Sequence, residues 1–98
     1  MTPMTQQAFE AALKAENYPE IVNISKEVGY QMHEHVHAFD AYALILQGDI
    51  TLTVNGVAST YKAGETFRLA AYTPHEESAI PHGVNYLVGR RRESTLPT

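Results

Sequence analysis

Tyr30-Gln31-Met32-His33-Glu34-His35-Val36-His37 alternates without a break. Successive side chains on a strand point to opposite faces, so this pattern predicts a strand with Gln31, His33, His35 and His37 on one side. Tyr30, Met32, Glu34 and Val36 then share the other. Three imidazoles on one face are costly unless their polar nitrogens are solvated or partnered. A divalent metal is one partner, because neutral imidazole ligates zinc, iron and nickel. Histidines at i and i+2 of a strand reach one ion, and a third ligand has to come from elsewhere in the chain. Of the remaining histidines, His75 and His82, the candidate is His75; His82 sits in a Pro81-His82-Gly83 turn and reads as exposed. The competing reading of the alternation is a solvated polar face.

Period-two patterning continues on both sides of this stretch. Ile21 to Ser25 precedes it, and Ala41 to Leu46 is an uninterrupted apolar run of the kind buried on both faces. Gly48-Asp49 reads as a turn, followed by Ile50, Leu52 and Val54 in alternation. Asn55-Gly56 is a strong hairpin signal, since both central residues of a type I′ turn need positive φ. Val57 to Lys62 is the return strand, with further strands at 66–69, 77–80 and 84–88. Seven to nine short strands with turn signals at this spacing predict an all-β sandwich or barrel. One helix precedes them, at about 4–17, capped by Thr5 or Thr2 and ended by Asn17 and Tyr18-Pro19. Its apolar stripe is narrow, so it is expected to lie on the barrel. Arg90-Arg91-Arg92 reads as a solvated charge run, and 93–98 as a loose tail.

Ninety-eight residues are one domain's worth of chain, burying roughly 65% of its unfolded surface. Composition is ordinary and globular: 44% hydrophobic and 18% charged. Seven basic against eleven acidic residues leave a net charge of −4, which gives no general attraction to nucleic acid or anionic lipid. With no cysteine, disulfides, thiolate metal sites and cysteine nucleophiles are excluded. The longest apolar run, six residues, falls far short of the about 18 of a membrane span. No basic segment followed by an apolar one opens the chain, so the expected compartment is the cytoplasm.

Two blocks of the sequence resemble the paired motifs of the cupin family. Gly29, five residues, His35-x-His37 and then Gly48 fit the first motif, which reads Gly, five residues, His-x-His, three or four residues, Glu, six residues, Gly. Gly64 and the stretch ending in Pro74-His75 resemble the second: Gly, five residues, Pro-x-Gly, two residues, His, three residues, Asn. The resemblance spans about 21–89. It implies a small single-domain cupin: a double-stranded β-helix, or jelly-roll barrel, with a metal inside and commonly a homodimer. It matches His35, His37 and His75 to the three metal-binding histidines.

The departures are specific. Ala41 stands where the family places its metal-binding glutamate, and Ala70, Tyr72 and Ala79 replace the second motif's proline, glycine and asparagine. A three-histidine site, or one completed by Asp40 or His33, is therefore expected to hold one divalent transition metal: iron, zinc, nickel or manganese. Glu77, Tyr42 and His33 are the acid–base candidates nearby; Glu77 has the parity of His75, its alternative being a carboxylate on the rim. The function expected is metal-dependent action on, or binding of, a small polar or anionic molecule. The alternatives are a non-catalytic ligand-sensing barrel and a purely structural one.

Overall fold

The computed structural model describes residues 3–92; Thr2 and the tail 93–98 lie outside the described residues. Helix α1 (Gln6–Ala15) is followed by seven strands: β1 (Glu20–Lys26), β2 (Tyr30–His35), β3 (Phe39–Val54), β4 (Val57–Lys62), β5 (Thr66–Leu69), β6 (His75–Ala79) and β7 (Val84–Arg92). All pairings are antiparallel. One half of the barrel is ordered β1-β7-β3-β5, the other β2-β6-β3-β4.

The two halves share β3. Its first part pairs with β5 and β7 and its last part with β4 and β6. The expected turn at Gly48-Asp49 is therefore absent, and the two predicted strands are one strand of 16 residues. The chain bends there without breaking its ladder. The register against β7 slips between Ile45 and Gln47, and Gly48 has φ +75°. Asp49 N–H donates to the Gly83 carbonyl at 3.1 Å. A bulge plus a left-handed glycine lets one strand leave one sheet and enter another. The Asn55-Gly56 turn forms as expected, with φ of 51° and 77° and Val54 paired with Val57.

Parity along β3 builds two cores. Ala41, Ala43, Ile45, Ile50 and Leu52 face the barrel interior with Phe67, Tyr86 and Val88. Tyr42 and Leu44 face outward and are covered by Phe9 and Leu13 of α1, with Tyr18 and Leu87. Thr5 caps the helix by accepting from Ala8 N–H at 3.1 Å. The Arg68 guanidinium grips Glu16 at its other end through two hydrogen bonds of 2.8 and 2.9 Å. The helix thus covers β3 and β7, not the histidine strand.

Gly48 and Gly56 separate backbone strain from steric clash. A Cβ at Gly56 meets nothing, whereas one at Gly48 runs into the Gly83 carbonyl. Gly56→Ala is expected to cost about 1–2 kcal/mol for its left-handed backbone alone, and Gly48→Ala clearly more. Urea midpoints falling in the order wild type, G56A, G48A would bear this out; coincident midpoints for the two variants would contradict it.

Candidate metal centre

Strands β2 and β6 are antiparallel neighbours with His35 opposite His75 and Met32 opposite Glu77. Between Met32 and His35 the register shifts, and this bulge overturns the strict alternation expected for Tyr30 to His37. Tyr30 and Met32 line the interior ahead of the bulge, and His35 and His37 line it after. The extra residue reverses the parity, which turns His33 out to solvent. Its carbonyl still serves the site, because it accepts from His35 Nδ1 at 2.8 Å.

His75 is fully buried and Glu77 is 8% exposed. Glu77 Oε2 lies 2.9 Å from His75 Nε2, 3.2 Å from His35 Nε2 and 3.7 Å from His37 Nε2. One ligand atom from each of the four residues falls within 4.8 Å of all the others. Glu77 is therefore no rim carboxylate. It is the fourth member of the cluster, on the strand of His75 and two residues beyond it.

The hydrogen bonds around the cluster decide which nitrogen carries each proton. His35 Nδ1 faces the His33 carbonyl, and His75 Nδ1 faces the Thr73 carbonyl at 2.9 Å. A carbonyl only accepts, so both Nδ1 atoms donate and each neutral ring presents a lone pair at Nε2. Those lone pairs meet Glu77 Oε2, itself an acceptor. Buried His35 Nε2 has no hydrogen-bond partner despite the carboxylate 3.2 Å away. Acceptors packed this closely repel unless a positive charge lies among them, and donors about 2.0–2.2 Å from one ion stand roughly 3–3.6 Å apart. The carboxylate's distances to the three rings suit a shared metal ion, and so does the lone-pair conflict.

Tyr30 Oη donates to Glu77 Oε1 at 3.0 Å and leaves Oε2 to the imidazoles. Burial pushes the Glu77 carboxyl up, but its close contacts with His75, Tyr30 and His35 outweigh it and hold the group below its ordinary value. Burial, then His75 and His35, holds His37 below the ordinary imidazole value. Burial and the Glu77 charge raise both Tyr30 and Tyr86.

His35, His37 and Glu77 line a partly open cavity of about 150 Å³. Ile24, Met32, Phe39, Phe67, Leu69 and Val88 supply its apolar walls, and Lys26 and Arg90 its cationic groups. Phe39 stacks on His37 with ring centroids 4.8 Å apart.

Several expected groups stand elsewhere. Asp40 accepts from Ala71 N–H at 2.9 Å and from Arg91 at 3.1 Å; those two donors hold its carboxyl below its ordinary value. It is neighbour to Ala41 in a regular strand, so it points away from the cavity. Tyr42 points away for the same reason and packs edge-on against Phe9. His82 is exposed, as expected, and pairs with Asp49 at 2.9 Å. The arginines are not a uniformly solvated run: Arg91 binds the Glu16 carbonyl and Asp40, and Arg90 lines the cavity.

No protein-family model matches the sequence, and no curated protein matches it. Solved structures do. A conserved protein of unknown function from Streptococcus pyogenes superposes with TM-score 0.68 at 23% identity, over 76% of this chain and 65% of its own. An RmlC-like cupin from Shewanella frigidimarina superposes with TM-score 0.64 at 20% identity, over 76% and 67%. A variant of oxalate decarboxylase from Bacillus subtilis gives 0.66 at 18% identity, over 86% of this chain and 24% of that one. This chain thus spans under two thirds of the Streptococcus protein and about a quarter of the decarboxylase. The fold is the cupin fold, as the paired motifs imply.

The depressed groups set the acid limb of stability in the metal-free protein. A histidine held below its ordinary value stabilises fully above 6.5, where the unfolded chain is also neutral. That contribution is lost as pH falls toward the folded value. Glu77 follows below 4.5, where its unfolded carboxyl takes up a proton first. Calorimetric Tm values are expected to fall from pH 7.5 to 5, with the upper part of that fall reduced in His37→Gln. A Tm that is flat over this range, or identical slopes in both proteins, would refute the assignment.

Proposed function

We propose that this cupin-fold protein holds one divalent transition metal on His35, His37, His75 and Glu77, and acts on or binds a small polar or anionic molecule beside it. The observation that carries the reading is the convergence of three imidazole nitrogens and one carboxylate oxygen beside the barrel's cavity. Iron, zinc, nickel and manganese all suit this donor set. Glu77 takes the place proposed for Asp40 or His33 and cancels one of the ion's charges. Bound there, the ion supplies Lewis acidity or, as iron, chemistry with dioxygen.

The chain's own residues hold and shield the site. The carbonyls of His33 and Thr73 fix two rings by their Nδ1–H groups, and Tyr30 fixes the carboxylate. Such outer partners orient ligands and sharpen affinity. The apolar walls limit water.

A second reading, a non-catalytic sensing barrel, is favoured by what else lines the cavity. Outside the cluster its titratable groups, among the described residues, are Lys26, Tyr30, Tyr86 and Arg90. Both tyrosines are pushed up, so neither is a base near neutral pH. Turnover would then rest on the metal and on the substrate's own groups. We further propose that residues 1–98 form a single domain in a cytoplasmic homodimer, without nucleic-acid or membrane partners. The exposed apolar Ile21 on edge strand β1 and the exposed Val36 and Val57 support association.

Metal content by mass spectrometry and zinc titration test the site. His75→Ala and Glu77→Ala are each expected to weaken zinc at least about tenfold, while Asp40→Ala and His33→Ala leave it unchanged. Binding that survives E77A, or is lost in D40A, would overturn the proposed ligand set. Oxygen uptake by the iron-loaded protein with small diketones, thiols and sugar acids separates an oxygenase from a sensor.

A further inference from the structure

Arg90 lines the cavity, and the metal site makes no use of its chemistry. It lies on β7, and its guanidinium carbon is 4.9 Å from the centre of the Phe39 ring. Its Nε is buried and has no hydrogen-bond partner among the described residues. Arg91, by contrast, is fully occupied by Asp40 and the Glu16 carbonyl, and Arg68 by Glu16 and the Tyr42 face. A buried guanidinium N–H without an acceptor is costly, and water or a ligand in the adjoining cavity can supply one.

The balance of charge points the same way. The cavity lining holds one carboxylate, Glu77, already committed to three imidazoles and Tyr30. Against it stand two fixed cations, Arg90 and Lys26, before any metal is added. Lys26 Nζ sits 4.8 Å from the centre of the Tyr30 ring, at the same cavity. Phe39 lies against both Arg90 and His37, and Phe67, Leu69 and Val88 add apolar wall to the same cavity. The volume of about 150 Å³ is that of roughly five water molecules, well below the range of drug-sized pockets.

We infer that Arg90 is the anchor for the carboxylate of a small monoanionic ligand, whose short apolar body lies along Phe39, Phe67, Leu69 and Val88 with its far end toward the histidine cluster. This names the ligand class for the site proposed above and rests on that reading for the metal end, though the anchor itself does not need the metal. Planar, two-pronged recognition of a carboxylate is what guanidinium does better than ammonium. The volume suits a small ligand, and the lining gives a neutral polar ligand no partner comparable to a guanidinium fork.

Butyrate and its neutral isostere butyramide are the probes. Binding is read from shifts of imidazole and amide resonances by two-dimensional NMR, in zinc-loaded and in metal-free protein, with zinc content measured in each. Butyrate is expected to bind saturably at the cavity residues, with butyramide at least about tenfold weaker. Arg90→Gln is expected to weaken butyrate by at least about tenfold and leave butyramide unchanged; Arg90→Lys falls between. Equal affinity for the two probes in the wild type overturns the inference without recourse to any variant. So does wild-type butyrate affinity in R90Q, or the absence of saturable butyrate shifts. Protein that takes up no zinc yet binds butyrate through Arg90 ends the metal reading and leaves the anchor standing.

Discussion

Everything at the interior end of this barrel answers to one electrostatic constraint: lone pairs that would repel are held face to face. Two backbone carbonyls, of His33 and Thr73, force the protons of His35 and His75 onto Nδ1. Their Nε2 atoms then look at a carboxylate oxygen 3.2 and 2.9 Å away. Packing acceptors against acceptors in a buried place is stable only with positive charge among them. The surroundings maintain the conflict instead of relaxing it. Tyr30 pins the carboxylate from behind, β2 and β6 fix the rings by their register, and Phe39 stacks on His37.

Much of this was legible in the sequence. The period-two patterning, the Asn55-Gly56 turn and the paired motifs led to the right fold. Spacing marked His33, His35 and His37, the motif resemblance marked His35, His37 and His75, and the structure brings the latter three together. What misled was the assumption that Tyr30 to His37 is a regular strand. One bulge reverses its parity, turns Tyr30 and Met32 toward the cavity and sends His33 outside. A bulge of this kind leaves no glycine or proline in the stretch to announce it. Glu77 was visible as a parity partner of His75, but parity does not report burial. Its depth comes from β6 being flanked by β2 and β3, a tertiary fact.

Position 41, where the resembled family carries a glutamate, belongs to the same geometry. Ala41 faces the cavity, so its small side chain leaves room in the wall. The carboxylate is supplied instead from the neighbouring half of the barrel, beside His75. The cluster keeps three nitrogens and one oxygen, with the oxygen arriving from a different strand. Asp40 could not substitute, because adjacent positions of a regular strand face opposite ways; it ties β3 to Ala71 and Arg91 instead.

The shared strand β3 also shapes how the molecule comes into being. It pairs with β4, β5, β6 and β7, and among these only the β3–β4 hairpin is closed by a tight two-residue turn. That hairpin can form within microseconds, while the remaining pairings wait on closure of longer loops, which makes such topologies slow to assemble. His35 and His37 lie on or just after β2, and His75 and Glu77 lie on β6, so the cluster forms only when these two strands, far apart in sequence, pair. Contacts made this late act mainly on the rate of unfolding. A cation at this site would therefore work as a latch: it would do little to hasten the chain into the barrel and much to delay its escape.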